Sequence, residues 1–535
     1  PLFTGDLAVV DNLNRPERIP SWWTAAGRYL DRYAGGDDDR TRVLELPGSD
    51  FAAYRWGNTV DPVTPYLMDR PYVARELIPY GSPPSADLLN ALDRRLQEGV
   101  FEPPALAPLA RLMGVGDVVL RDDLQHERYR TPRPRSLWAL LGATPPAGLG
   151  LPATFGPATP NRPVPSLPLL DEIELATPPG SPDPPPVAAF PVEQPLPIVR
   201  VEDEHAAGAL VVDGDGEGVV DVAAAGLLGR GRPVRYAQAG PAVPDASTLV
   251  VTDTNRLRAR RWGTVRENTG YTEGPGLGPL RDDPADARLD VFPHAPADAF
   301  TIVEQRGVRS VRATHYGNPV SYTPEDRAAN ALDGDLRTAW RVGAFADVTG
   351  ERIRVDLPRA ERLGRLRLVQ PQTGARNRWI TRLRVHLDGD RGVDVDLYDS
   401  SRTPHGQVVT FAERRVRRIE LEVRQTNVGK RPRYDGVSGV GFAEIDPGGD
   451  GHVRVDEVVR MPRDLLARAG PSSSRHPLAL VMTRLRANPA EPVRSDEEPQ
   501  LKRTFRLPVA RTLALSGTAR ISAGASDAEV DRRLG

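Results

Sequence analysis

"AANALDGDLRTAW" occupies residues 328–340. A glycine separates two aspartates, a threonine follows, and a tryptophan closes the run. Asp333 and Asp335, with Thr338 and nearby backbone carbonyls, can wrap a hard cation; calcium takes about six to eight oxygens, and such a loop supplies several without helices. Gly334 lets the backbone fold between the carboxylates. Trp340 is expected to enter a core and pin the end of the loop. The surrounding sequence has period two. "RIRVDL" (352–357), "TRLRVHLDG" (381–389), "VDVDLY" (393–398) and "RRIELEVRQ" (417–425) alternate apolar with charged residues. Such alternation marks antiparallel strands with one buried and one wet face, so residues 301–447 are expected to form a β-sandwich.

Working outward, residues 448–535 read as a further β-rich segment, with strands in "PLALVMTRLRA" (477–487), "LKRTFRLP" (501–508) and "ARTLALSGTARISA" (510–523). Residues 199–300 read as a small α/β domain. "ALVVDGD" (209–215), "RPVRYA" (232–237) and "STLVVTD" (247–253) are its strands, and "EGVVDVAAAGLLG" (217–229) its helix, which suggests a parallel sheet. Residues 143–198 are dense in proline, which fixes φ and removes donors, so an extended linker or strap without regular structure is expected there. Residues 1–142 read as mixed α/β. "RVLELPG" (42–48) is a strand, "IPSWWTAAGRYLDRY" (19–33) an amphipathic helix, and "SADLLNALDRRLQEG" (85–99) the clearest helix, with Ser85 able to cap it and Gly99 ending it. The expected fold class is therefore multi-domain, α/β plus all-β.

The chain has 535 residues, enough for three or four domains at about 150 residues each. Its formal net charge of −2 offers no global attraction to nucleic acid or an anionic membrane. The absence of cysteine excludes disulfides and thiolate chemistry. The eight histidines stand singly, against a histidine-based metal site. No run reaches about 18 apolar residues, so no bilayer-spanning helix is expected. The chain starts at Pro1 without a signal peptide and stops at "EVDRRLG"; the expectation is a piece of something larger.

Asn330, Ala331, Leu332, Asp333-Gly334-Asp335, Thr338 and Trp340, with the later "VGFAEID" (440–446), resemble the discoidin domain, also called the coagulation factor 5/8 C-terminal domain and shared by many carbohydrate-binding modules. The resemblance covers about 140 residues. It implies a structural calcium held by Asp333, Asp335, Thr338 and Glu444. It also implies sugar contact from loops at one end of the sandwich, for which Tyr316, Tyr322, Asn377, Arg378, Trp379 and Tyr434 are candidates: aromatic rings for sugar C–H faces, arginine and asparagine for hydroxyls.

"LPGSDFAAYRWGNTVDPVTPYLMDRPYVARELIPYGSP" (46–83) and "LVVTDTNRLRARRWGTVRENTGYTE" (249–273) resemble the soluble part of large actinobacterial arabinofuranosyltransferases. That likeness implies the extracytoplasmic face of the plasma membrane and a membrane-embedded half of the same polypeptide. It also implies a polyprenyl-phosphate-arabinofuranose donor and a cell-wall arabinan acceptor. The catalytic carboxylate is expected in the membrane half, so no catalytic residue is assigned to this chain. A free-standing secreted carbohydrate-binding or adhesive protein is the other reading, and a protein-binding scaffold a third.

Other motifs carry less. Asp50, Asp61 and Asp69 flank Trp56 and Arg70; carboxylates near aromatics suit sugar binding, although loop aspartates are mostly turn formers. "RENTG" (266–270) groups Arg266, Glu267 and Asn268, and an ion pair is the plainer reading. "DPGGDGHVRVDE" (446–457) nearly fits an EF-hand loop, but Gly448 removes a ligand. "DGDGEG" (213–218) reads as a strand-to-helix turn, and "GPGLGP" (274–279) is a proline-broken glycine loop.

Overall fold

The computed structural model describes residues 18–31, 41–77, 81–163, 180–201, 208–240, 242–257, 272–282, 291–317, 323–344, 346–371, 377–427, 438–448, 453–484, 498, 500–519 and 531–532. Two α/β sheets and a β-rich module follow from the sequence periods.

The first sheet takes strands β1 (Arg42–Leu46), β4 (Tyr72–Val73), β5 (Val115–Arg121), β6 (Ala153–Phe155) and β7 (Val187–Pro191) in the order β4-β1-β5-β7-β6. A hairpin of β2 (Ala52–Tyr54) and β3 (Gly57–Val60) stands beside it. Strands β4, β1 and β5 are parallel, while β7 and β6 run antiparallel to their neighbours. β1 and β5 are buried on both faces, as in a sheet covered on both sides, and one face also carries the buried pair Glu45–Arg121 at 2.9 Å. Val43 and Val119 meet Trp23, Ala26 and Leu30 of α1 (Ser21–Leu30). Leu44, Leu46, Val118 and Leu120 share the other core with α2 (Pro83–Gln97) and α3 (Leu106–Leu112). α2 starts two residues before Ser85, on prolines in its first turn, and Ser82 holds the N-cap position. Proline fits there because those amides lack helical partners anyway.

Residues 143–198 correct the linker expectation. They supply β6 and β7, and β7 is an interior strand with Val187, Ala188, Ala189 and Phe190 buried. The physical reason is local: "VAAF" (187–190) carries no proline, and Pro186 and Pro191 stand at its ends. Proline density described the flanks and hid the strand.

The second sheet is wholly parallel, in the order β21-β10-β8-β9, with β8 (Leu210–Asp213), β9 (Val234–Tyr236), β10 (Thr248–Thr252) and β21 (Leu478–Val481). After β8, the "DGDGEG" turn leads into α4 (Gly216–Ala224), with the Asp215 side chain accepting from the Gly218 amide at 3.3 Å. α4 packs on α2, and a buried ionic cluster stitches them. Glu217 accepts from Arg94 (2.7 Å to Nε) and Arg95 (3.2 Å), and Asp221 pairs with Arg95. One apolar core runs from Leu44 and Leu120 through to Val212 and Val250. Residues 1–142 and 199–300 therefore share a core rather than forming separate domains, and β21 from the C-terminal segment completes the second sheet.

The β-rich module lies between β10 and β21. A six-stranded antiparallel sheet contains β12 (Ser310–Ala313), β14 (Arg352–Val369), β15 (Ile380–Leu387), β16 (Val393–Asp396), β17 (Gln407–Thr426) and β19 (Glu444–Asp446). Its main order is β12-β14-β17-β15-β16, with β19 pairing on β14. A ribbon of β13 (Trp340–Val342) and β18 (Val440–Phe442) shares its core, where Trp340, Ile353, Leu383, Ile419 and Phe442 are buried. The charged positions form ion-pair ladders on the wet face, among them Arg384–Asp394 and Arg354–Glu420, both 2.7 Å. A small sheet of β11 (Ile302–Arg306), β20 (Asp456–Arg460) and β22 (Arg503–Thr504) closes the base of the module. The strand expected at 510–523 is not found over its described residues, 510–519, which form no strand or helix, and Leu515 is 99% exposed. Alternation specifies a strand only when an edge is available to receive it.

Candidate cation and carbohydrate site

Ala328–Ala331 form a buried 3₁₀ turn that presents the next residues at the rim of the module. Gly334 has φ +79°, the left-handed region, and a Cβ there would lie 2.7 Å from the guanidinium carbon of Arg454. The glycine is thus required by conformation and by close approach. Asp333 Oδ1 accepts from the Asp335 amide at 2.8 Å, and its Oδ2 accepts from the Thr338 hydroxyl at 2.6 Å. Burial pushes the Asp333 carboxyl up, against those two hydrogen bonds.

Glu444, on β19, is 5% exposed and pairs through its backbone with Val369 of β14. Burial pushes its carboxyl up to about 7; the charge of Asp333 adds to the rise, and Arg367 and Arg454 oppose it. The fold thus brings Asp333 and Glu444 together. It takes Asp335 elsewhere: Arg337 grips it through Nε (2.9 Å) and Nη2 (2.7 Å), which holds its carboxyl below the ordinary value. Among the described residues, no three acidic or imidazole side chains gather closely enough to hold a metal. The donor set that remains is two carboxylates, Asp333 and Glu444, close enough for the charge of one to raise the other in a desolvated site, which fits a hard cation in atom type.

Trp340 is fully buried and donates through Nε1 to the His315 carbonyl at 2.9 Å. Of the sugar-contact candidates, Tyr322 and Tyr434 lie outside the described residues. Tyr316 packs against the module core and lines a cavity of about 50 Å³ with Glu273, Arg312, Arg327 and Glu457. Arg378 is buried, and its guanidinium donates to the carbonyls of Gly343 (2.6 Å), Ala346 (2.8 Å) and Ser438 (3.0 Å). It staples loops rather than facing solvent. Asn377 is half-buried beside it. Trp379 is half-buried too, and the Arg402 guanidinium lies 3.9 Å from its ring centroid. Sequence reading did not find Arg402 or Arg454, because each reaches its place from a distant strand or turn with no local pattern.

The other candidates are structural. Asp50 pairs with Arg75, and Arg70 is buried on Asp117 at 2.7 Å. Asp61 and Asp69 are exposed. Trp56 donates to Asp123 at 2.8 Å. Asp446, at the end of β19, receives the Gly448 amide at 2.9 Å, and Glu457, in β20, pairs with Arg327 at 2.7 Å, so the described ends of the EF-hand-like run are engaged structurally; Asp450 and Gly451 lie outside the described residues, as do Arg266, Glu267 and Asn268. In "GPGLGP", a Cβ on Gly274 would lie 2.5 Å from the Val303 carbonyl oxygen, so that glycine serves close packing.

Comparison with known proteins gives a consistent result. Residues 4–298 match a family described as alpha-(1->3)-arabinofuranosyltransferase, N-terminal GT-C domain. An alpha-(1->3)-arabinofuranosyltransferase of Mycolicibacterium smegmatis is 28% identical over 356 residues, 63% of this chain and 24% of that protein. One from Mycobacterium tuberculosis is 27% identical over 358 residues, 64% of this chain and 24% of that protein. The chain thus spans about a quarter of the length of these relatives. A cryo-EM structure of the arabinofuranosyltransferase AftD from Mycobacteria has the same fold over 83% of this chain and 33% of its own, with a TM-score of 0.62 at 20% identity.

Proposed function

Since this chain belongs to the alpha-(1->3)-arabinofuranosyltransferase family of N-terminal GT-C domains, we propose that it is a non-catalytic, extracytoplasmic part of a membrane arabinofuranosyltransferase acting in cell-wall arabinan synthesis. No helix among the described residues is long and apolar enough to cross a membrane, so transfer from a polyprenyl-phosphate-arabinofuranose donor is assigned to a membrane-embedded half of the same polypeptide. The β-rich module is read as a discoidin-type carbohydrate-binding module that positions the acceptor glycan. The family match carries the reading of the whole chain. The half-buried Trp379 under Arg402 supports that of the module, since it sets an aromatic ring and guanidinium donors side by side.

Isothermal titration of the chain with arabinan oligosaccharides should show saturable binding, weakened about tenfold in Trp379→Ala. Unchanged affinity in that variant would remove the assigned site. Turnover of the lipid-linked donor by the purified chain would overturn the non-catalytic reading.

Calcium is the proposed occupant of the Asp333–Glu444 site, where it would neutralise the paired carboxylates and fix the loop. Because it binds only the folded state, a hundredfold excess over Kd should add about 2.7 kcal/mol of stability. Asp333→Ala should abolish that gain. Asp335→Ala should retain most of it, because Asp335 is engaged with Arg337. Melting curves in calcium and in chelator decide; equal loss in both variants would restore a site built on the pair of aspartates.

The raised Glu444 carboxyl sets a pH dependence. Its folded value, about 7, exceeds its ordinary 4.5, so the folded state holds the extra proton and stability falls as pH rises from about 4.5 through about 7. In chelator, Glu444→Gln should therefore stabilise the module at pH 8 by on the order of 1 kcal/mol, and leave it unchanged at pH 4. Stability curves at the two pH values test this.

A further inference from the structure

In the first α/β sheet, three indoles gather on one carboxylate. Nε1 of Trp23 and Nε1 of Trp56 each donate to Asp123 Oδ2 at 2.8 Å. Nε1 of Trp22 is close enough to ease the charge on Asp123 but forms no aligned hydrogen bond, and Asp123 Oδ1 is likewise buried without one. Burial raises the Asp123 carboxyl to about 6, with the indoles opposing the rise. Asp122 beside it is 2% exposed with both oxygens unpartnered, and burial followed by the Asp123 charge pushes it well above the ordinary range.

Packing alone does not ask for this arrangement. A partly exposed tryptophan ordinarily turns its N–H to water and buries its ring. Here the N–H groups of Trp22 and Trp56 turn inward to Asp123 while both residues stay partly exposed, so their exposure does not serve to wet the N–H. The rings are also fixed. Trp56 stacks on Tyr54, with centroids 4.7 Å apart and planes at 14°. Trp22 is closed in by Gly156, where a Cβ would come within 3.1 Å of its Cγ. At the rim, Arg55 is held on Glu127 by two contacts of 2.6 Å and donates to Asn161 at 2.5 Å. Asn161 in turn donates to the carbonyls of Asp122 and Leu124, tying the rim to the end of β5.

We propose that Trp22 and Trp56 form a glycan-binding platform on the α/β part of the chain, taking neutral sugar rings on their indole faces with Arg55, neutralised by the buried Glu127, as its polar edge. The chemistry selects this class of ligand. A sugar C–H face is weakly positive and complements the negative face of an indole. Arg55 is the partly exposed member of the pair and can offer guanidinium N–H to hydroxyls, while the buried Glu127 cancels its charge and so disfavours an ion. Asp123 does not touch the sugar; it is a positioning residue that keeps the ring faces outward. The platform is independent of the reading given to the β-rich module.

The test uses the full chain with ¹⁵N-labelled tryptophan, whose seven residues report separately through their indole N–H signals. It is titrated with α-arabinofuranosyl, α-mannosyl and β-glucosyl oligosaccharides. The expected result is that at least one probe shifts the Trp22 and Trp56 signals, with Kd about tenfold higher in Trp22→Ala. Trp22→Ala breaks no aligned hydrogen bond but removes a ring packed on the core, so the unchanged indole signals of the other tryptophans in the free variant check that the fold is kept, and Trp22→Phe, which keeps a ring face, should retain most of the affinity. Asp123→Asn should weaken the same titration and move the indole signals of the free protein, whereas a merely structural aspartate would leave the affinity unchanged. No shift of Trp22 and Trp56 with any probe, or undiminished affinity in Trp22→Ala, overturns the platform. Shifts confined to Trp379 would sink the platform and leave the module reading intact. Shifts at Trp22 and Trp56 without Trp379 would do the reverse.

Discussion

Glu217→Ala is expected to destabilise the α/β part of the chain by about 3–4 kcal/mol, as removal of one partner of a buried ion pair does. Glu217 is 4% exposed and stands between two guanidinium groups on the facing helix. Truncation leaves Arg95 with only Asp221 of its two carboxylate partners, and leaves Arg94 facing Glu98 at 3.8 Å. The cost is the penalty of buried charge left short of a partner rather than the net worth of the pair. Replacing both Arg94 and Glu217 by methionine should therefore be milder than the single substitution, because the Arg94 charge is removed with its partner, although Glu98 and Arg95 each lose one contact. Urea midpoints followed by far-ultraviolet circular dichroism give both numbers. A double variant as unstable as the single one would show that shape, and not stranded charge, sets the cost.

Trp340→Ala should cost about 3–5 kcal/mol, in the range for deleting a buried large aromatic, and the loss should fall on the β-rich module. The ring has no exposure, lies 6.3 Å from the Phe442 centroid at 20°, and its Nε1 donates to the His315 carbonyl. The substitution opens a void between sheet and ribbon and leaves that carbonyl short of its donor. Trp340→Phe should recover a large part of the loss, since it restores the ring but not the N–H. Limited proteolysis measures where the effect lands. Faster cleavage within 308–447 is expected, with 42–252 keeping its resistance; uniform sensitivity across the chain would contradict a local core.

Period-two segments were legible because one face of each is buried and the other wet: 352–357, 381–389 and 417–425 all fall inside strands β14, β15 and β17, or within two residues of their ends. The parallel strands at 210–213, 234–236 and 248–252 were legible as short apolar runs before turns. Long-range assembly was not. Nothing near Leu478 says that it will lie beside Leu249, and nothing in 187–190 outweighs the prolines around it. At the rim site, the loop and Trp340 could be named in advance. The allegiance of Asp335 to Arg337 rather than to Glu444 is a matter of rotamers, to which a sequence pattern is blind. The same holds for Asp123, whose role depends on three rings meeting from two separate segments.

The insertion of the whole β-rich module between β10 and β21 has a temporal consequence. On a ribosome, β10 emerges with Leu249 and Val251 ready to pair, but their partner is encoded more than two hundred residues later. At about 5–20 residues per second, that edge waits roughly ten to forty-five seconds. The module has ample time to fold in that interval, and by folding it draws the two chain ends of the insertion together, so that the late strand arrives as a near neighbour instead of searching across a long loop. The carbohydrate-binding candidate would then double as a timer and a clasp: its own folding sets when, and how readily, the second sheet can be sealed.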